Sequence, residues 1–399
     1  MAVAPERTAT DPVEIARGLA ERFREGAVER DRNRRFPHEE IGWLKQSGLP
    51  ALLLPKEVGG MGGGSRELVN VIAALAEGDS SIAQMYLIHT YGVALIMGVE
   101  CDEEVRQRYY RRMVDDGMFI TNAFSEASGK TVIDYSVKMR KAEDGDWRFS
   151  GTKSYCTGSL GGDIMYVLGQ VDGAPELTFK MGLIECDAPG LTINDDWSGM
   201  GQRTTASGTC VFEDVVIPDE VCFDIAMFAT PEAIFGSLGQ CMFTALHIGM
   251  ARDAMRDALA YVRTKSRPWP HSGVEKATDD PYVIAAIGEM KIMLAASEAL
   301  LDRAIDIREI AEANTTAETR DAASVAASEA KVVSSRAVLK IAELLFQVCG
   351  TGSVVEKYDH DRHWRNARTL TLHDPEAYKV RLVGDYVLNG ISPPISVYT

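Results

Sequence analysis

His373 and Asp374 stand side by side directly before Pro375. An imidazole titrates near neutral pH, so a histidine can release and regain a proton within one reaction, and a neighbouring carboxylate can orient its ring. The same residues suit a helix start, with Asp374 as N-cap and Pro375 in the first turn, so both readings are open. His89 lies in the apolar run Met85 to Val93, where a lone histidine is as often a satisfied core residue as a site residue. Asn122 ends a short apolar stretch and can bond a polar ligand or close a turn. Arg267, in Ser266-Arg267-Pro268-Trp269, is a cation suited to a phosphate or to a surface ion pair. The glycine run 59–64 is interrupted only by Met61 and lacks the Lys-Ser/Thr continuation of a phosphate loop, which favours a turn. Seven cysteines with no CxxC spacing argue against a disulfide framework or a zinc site and fit buried small residues, so no metal is expected.

The elements that must position these residues follow from periodicity. To about residue 117, apolar residues recur at three and four spacing over Asp11 to Arg30, His38 to Gln46, Arg66 to Glu77, Ser81 to Met97 and Glu103 to Asp115, which predicts helices. From 118 to 226 the period becomes two and β-branched residues concentrate, as in Phe119 to Phe124, Val132 to Arg140 and Ile164 to Gly169. This predicts a small barrel or sandwich. Helical period returns near 231 to 265, 281 to 313, 317 to 349 and 375 to 389, and long helices with short loops predict an antiparallel four-helix bundle. The expected domains are therefore residues 1–117 (all-α), 118–226 (β) and 227–399 (bundle), an α+β chain.

Of 399 residues, 42 are basic and 58 acidic, and the net charge of −16 opposes general affinity for nucleic acid or anionic membrane. No apolar run reaches the roughly 18 residues of a membrane span, and Met-Ala-Val-Ala-Pro-Glu-Arg does not look like a signal peptide, so a cytoplasmic location is expected.

Several segments carry a family resemblance. Phe149-Ser-Gly-Thr-Lys-Ser-Tyr-Cys-Thr-Gly158 resembles the Leu-Asn-Gly-Thr-Lys-x-Trp-Ile-Thr-Asn strand that lies along the flavin in acyl-CoA dehydrogenases, and Phe212 to Pro218 resembles their Phe-x-Asp-Val-x-Val-Pro segment. Asp196 to Gly208, Ser266 to Trp269 and Arg362 to Pro375 are similar to the dibenzothiophene monooxygenase branch of that superfamily. Where dehydrogenases usually present a catalytic Glu, this chain has His373-Asp374. Where they show Thr-Glu-Pro-x-Ala-Gly-Ser-Asp, it has Ser125-Glu-Ala-Ser-Gly-Lys-Thr-Val132, without the glycine pair that lets the backbone approach a pyrophosphate.

The resemblance implies a homotetrameric oxygenase that takes reduced flavin mononucleotide (FMN) from a separate NAD(P)H:flavin reductase. Through a C4a-hydroperoxyflavin it would oxygenate sulfur, nitrogen or aromatic carbon in a small organic substrate. Flavin adenine dinucleotide (FAD) is less expected. His373 is implied as proton donor, His89 as facing the substrate, Asn122 as bonding flavin or peroxide, Thr157 as near flavin N5, and Tyr155 as covering the ring. Trp197 is implied to close the cavity, while Ser125, Ser128, Thr131 and Arg267 are implied in cofactor binding, the last three at the phosphate. Arg362, His363, Arg365 and Arg368 form a basic cluster expected near a subunit boundary. The alternatives are an FAD-dependent acyl-CoA dehydrogenase with Asp374 as base, and a non-catalytic helical scaffold.

Overall fold

The computed structural model describes residues 11–127, 135–174, 178–225, 230–231 and 233–399. Five helices come first: α1 (Pro12–Asn33), α2 (His38–Gln46), α3 (Ser65–Ala76), α4 (Ser80–Gly98) and α5 (Glu103–Asp115). Their starts are chemically marked. Asp11 accepts from the Val13 N–H at 2.9 Å with Pro12 in the first turn, and Asp79 accepts from Ser81 and Ile82, satisfying donors that a helix start leaves open. The glycine run before α3 is a tight turn, since the N–H groups of Gly60, Gly62 and Gly63 bond the carbonyls of Pro55, Leu54 and Leu52. A Cβ on Gly60 would lie 2.2 Å from the Leu54 oxygen. Those amides are consumed by the chain itself and cradle no phosphate.

Among the described residues the middle layer is one eight-stranded sheet: β1 (Ile120–Ala123), β2 (Lys138–Lys141), β3 (Trp147–Lys153), β4 (Ile164–Val171), β5 (Phe179–Glu185), β6 (Leu191–Ile193), β7 (Cys210–Ile217) and β8 (Cys222–Asp224). The order is β6-β7-β3-β2-β4-β5-β8. β1 and β2 share one edge of β4, both parallel to it. A Cβ on Gly182 of β5 would meet Ile217 of β7 at 2.7 Å, although several strands separate them along the sheet. The sheet therefore curls over its own inner face into a half-barrel, and the expected barrel or sandwich takes this single-sheet form. Of the stretch Val132 to Arg140 read as one strand, residues 132–134 lie outside the described residues, and β2 begins only at Lys138.

The last layer contains α6 (Phe235–Thr264), α7 (Pro281–Ala313), α8 (Ala317–Cys349), α9 (Asp361–Leu370) and α10 (Glu376–Asn389). The polar helix α9 was not anticipated as an element. One core joins Phe23, Leu68 and Ile72 of the first helices to Met242, Leu246 and Leu344 of the bundle. A second joins Val93, Ile96 and Met113 to Ile164 and Phe212 of the sheet. Helix α4 contributes to both cores, which is why its sequence is apolar all round instead of carrying one stripe. Among the described residues no helix is long and apolar enough to cross a membrane.

Candidate active site

A cavity of about 100 Å³ opens where the three layers meet. Ile88 and Tyr91 of α4, Asn122 and Ser125 at the end of β1, Gln240 and Phe243 of α6, and His373 with Tyr398 of the C-terminal tail wall it. His373 sits in the turn between α9 and α10, its N–H bonded to the Leu370 oxygen at 3.0 Å. Its ring lies 4.2 Å from that of Phe243 and 6.0 Å from that of Tyr398. The side chain keeps 40% of its surface accessible, because it also borders a wider groove of about 550 Å³ between α10 and the tail. It is surrounded by protein yet reachable. Burial pushes its pKa below the usual imidazole range, against the pull of Asp374.

Asp374 is buried, and each of its oxygens faces an ammonium: Lys331 Nζ at 2.8 Å from Oδ1 and Lys379 Nζ at 3.1 Å from Oδ2. Its Oδ1 lies 3.5 Å from His373 Nδ1, longer than an ordinary hydrogen bond. Burial alone would raise this carboxyl, but His373 and the two lysines hold it far below the carboxylate range. A carboxylate so compensated is a poor base, which removes the expectation that Asp374 abstracts a substrate proton. Nor does it cap α10, whose N-cap position is Pro375.

The other expected residues divide. Asn122 Oδ1 is buried with no hydrogen-bond partner among the described residues, an acceptor left open in the wall of the cavity. An N–H on a flavin edge suits that acceptor. Ser125 is on the same wall, its carbonyl accepting from Ser154 N–H at 2.8 Å. Thr157 is buried and is not among the residues that wall this cavity; its Oγ1 lies 2.8 Å from Ser207 Oγ, which lies 2.7 Å from Thr205 Oγ1. Thr205 donates to the Gln202 carbonyl, so each hydroxyl passes its one proton along the chain and Thr157 Oγ1 keeps only acceptor capacity. Tyr155, 56% exposed, and Trp197 form an edge-on aromatic pair 6.1 Å apart, and Trp197 Nε1 donates to the Gln202 oxygen at 2.8 Å.

Two expectations are corrected. His89 is 0% exposed and does not reach the cavity. Its Nδ1 accepts from the Ile120 N–H at 2.9 Å, so Nε2 carries the proton and donates to the Pro50 oxygen at 2.9 Å. Burial pushes its pKa down to about 4. It is a neutral core histidine tying α4 to β1. Arg267 is exposed, without a hydrogen-bond or ion-pair partner among the described residues, and follows the far end of α6. At 1.5 Å per residue, Gln240 and Thr264 are about 36 Å apart along that helix, so Arg267 cannot serve the cavity of its own chain. Ser128 and Thr131 lie outside the described residues.

The basic cluster is largely neutralised within the chain. Arg362 and His363 pair with Asp257 at 3.0 and 2.8 Å, and Arg365 pairs with Asp31 at 2.6 Å. Asn366 beside them accepts from the Gln202 N–H at 2.7 Å and donates to Ser80 at 3.1 Å. Helix α9 thus fixes the loop that carries Trp197 and Ser207 to both helical layers. Residues at the site that the sequence did not single out are Lys331, Gln240, Phe243 and Tyr398. Only Lys331, a cation set among the small and apolar residues Ala326, Ala327, Ala330 and Val332 of α8, left a signal that could have been noticed.

Residues 13–116 match the family model for the acyl-CoA dehydrogenase N-terminal domain, and residues 241–375 match that for the acyl-CoA dehydrogenase C-terminal domain. A dibenzothiophene monooxygenase from Rhodococcus erythropolis is 34% identical over 395 residues, covering 96% of this chain and 94% of the relative. The FMN-bound crystal structure of the dibenzothiophene monooxygenase of Paenibacillus sp. A11-2 superposes with a TM-score of 0.93 at 33% identity, covering 98% of this chain and 100% of that one. Methanesulfinate monooxygenase from Pseudomonas fluorescens gives 0.91 at 31% identity, with 100% of both chains covered. The chain belongs to the acyl-CoA dehydrogenase superfamily, within the branch of the dibenzothiophene monooxygenases and related two-component flavin-dependent oxygenases.

Proposed function

We propose that this chain is the oxygenase component of a two-component system, taking reduced FMN from a separate NAD(P)H:flavin reductase. It would place one oxygen atom on a sulfur, nitrogen or aromatic carbon centre of a small organic substrate, with the second atom leaving as water. Bound reduced FMN supplies the two electrons and the activation of oxygen. The chain supplies the rest: Asn122 and Ser125 offer polar groups on one wall, Thr157, on the segment that resembles the flavin-lining strand, offers an acceptor, Phe243 and Tyr91 exclude water, and His373 handles the proton. The observation that carries this assignment is the unpartnered Asn122 Oδ1 in the same small cavity as a reachable His373. The relatives' action on dibenzothiophene and methanesulfinate supports a sulfur-bearing substrate first.

Assembly as a homotetramer is part of the proposal. Arg267 can meet a flavin phosphate only from a second copy, and Ile284 and Ile292 on α7 with Val387 and Leu388 on α10 expose apolar surface suited to contact between copies. A cytoplasmic location fits the need for a supply of reduced flavin.

The test is anaerobic mixing with reduced FMN or reduced FAD, followed by an oxygen pulse watched by stopped-flow absorbance. A long-lived transient between the reduced and oxidised spectra is expected with FMN. His373→Ala should greatly lower product per flavin consumed while FMN affinity largely survives. Uncatalysed reoxidation with both flavins would overturn the assignment, and unchanged turnover in His373→Ala would remove that residue from it.

A further inference from the structure

Lys331 lies on the inner face of α8 among Ala327, Ala330 and Ser334, and it is buried. Packing does not require an ammonium there, and desolvating one costs several kcal/mol unless its partners are well placed. The partners are specific. Nζ is 2.8 Å from Asp374 Oδ1 and 2.9 Å from Gln240 Oε1, and it lies 4.6 Å from the centre of the Phe243 ring. Gln240, Phe243 and His373 all wall the small cavity, so one nitrogen touches two of its residues and the carboxylate beside the third. Lys379 holds the other carboxylate oxygen and donates to the Tyr398 carbonyl, which ties the tail to the same cluster.

The charges clustered on the cavity side of His373 are thus one carboxylate against two ammoniums, while Arg381 and Asp385, which border the wider groove it also faces, pair with each other at 3.2 Å and cancel. From α6, His247 faces the same group, with Nδ1 3.1 Å from Ser334 Oγ. Ser334 donates to the Lys331 carbonyl, so His247 is a neutral donor through Nδ1. Tyr398, from the tail, adds no charge near neutral pH. Protonating His373 would place a second uncompensated positive charge in this enclosure.

We propose that Lys331 is a positioning residue: it fixes Asp374 and Gln240 in the cavity wall and, by over-compensating the carboxylate, keeps His373 a neutral imidazole at working pH. This extends the proton-handling role given to His373 above and rests on it. No bond is made or broken at Lys331 itself.

The measurement is a pH titration of the His373 ring in isotopically labelled full-length protein, its resonance identified by loss in His373→Ala. Lys331→Met should raise the His373 midpoint by on the order of one pH unit, since a cation a few ångströms away is removed. Asp374→Asn should lower it. The double variant should return it close to the wild-type value, because the net charge beside the ring is again one positive, now carried by Lys379 alone. In turnover, the pH profile of product per reduced flavin should move with the same signs, with kcat changed more than KM. If Lys331→Met does not accumulate as folded protein, Lys331→Gln makes the same charge change with a donor retained. A folded Lys331 variant with an unmoved midpoint would reduce the residue to packing, and a double variant whose midpoint stays far from wild type would show that the net charge beside the ring does not set it. The ring titration reads out even if no oxygenated product is found, so failure of the inference is separable from failure of the proposed function.

Discussion

Replacing His89 with leucine separates a structural histidine from a catalytic one. Leucine approximates the ring's volume but leaves the Ile120 N–H and the Pro50 carbonyl without partners in a fully buried site. Each such orphan costs about 1–3 kcal/mol, so the loss is about 4 kcal/mol. With an unfolding entropy of about 2.1 cal/mol/K per residue over 399 residues, that is a drop of about 5 °C in Tm at neutral pH. The effect should also depend on pH. Because burial lowers the folded pKa of His89 to about 4, acid below the ordinary imidazole pKa protonates the unfolded chain first and destabilises the wild type. That penalty is about 1.4 kcal/mol per pH unit and is absent from the variant, so the gap should narrow by about 1.4 kcal/mol near pH 5.5. Thermal unfolding at the two pH values reads this directly, and product per folded protein should stay within a few-fold of wild type. An unchanged Tm with product formation reduced a hundredfold would refute the reasoning and put His89 at the substrate.

Other expectations follow from the same geometry. Thr157→Val removes an acceptor suited to the N–H at N5 of reduced flavin. Affinity for reduced FMN should fall by roughly tenfold in anaerobic titration, with a smaller change for oxidised FMN, whose N5 has no proton; equal losses would contradict the polarity of the Thr157–Ser207–Thr205 chain. Arg267→Ala should weaken FMN by about 10- to 100-fold without changing the mass seen in sedimentation, and unaltered affinity would place the phosphate elsewhere. Asn366→Ala should lower stability by about 2 kcal/mol and alter Trp197 emission, since it frees the Gln202 backbone that holds the indole; a stability loss with no change in emission would mean that the loop is fixed without it.

The sequence was most readable where local rules act alone. Helix α5 begins at Glu103 and ends at Asp115 as its apolar spacing predicts, and α7 and α8 match to the residue because capping groups stand at their starts. The curl of the sheet was not readable, since it depends on which strands lie beside β4, and β1 and β2 both do. The site was half readable. His373 and Asn122 share a cavity as the resemblance implied, whereas the partners that set their chemistry come from α6, α8 and the penultimate residue, all remote in sequence. His89 misled because an apolar helix shows that a histidine is buried and does not show whether its nitrogens are already used. Arg267 misled because the length of α6 separates it from the cavity of its own chain.

The charge around one carboxylate in this site argues against dehydrogenase chemistry. A general base works best with a pKa near the working pH, and each unit below that costs about 1.4 kcal/mol of driving force for proton abstraction. Asp374, held far below the carboxylate range between Lys331 and Lys379, is a weak base for taking a proton from the carbon beside a thioester. Acyl-CoA should therefore fail to bleach bound flavin in this protein under anaerobic conditions, and bleaching would overturn that conclusion. The fold carries either chemistry, and the two buried lysines oppose a basic Asp374, which leaves the proposed proton handling to His373 beside it.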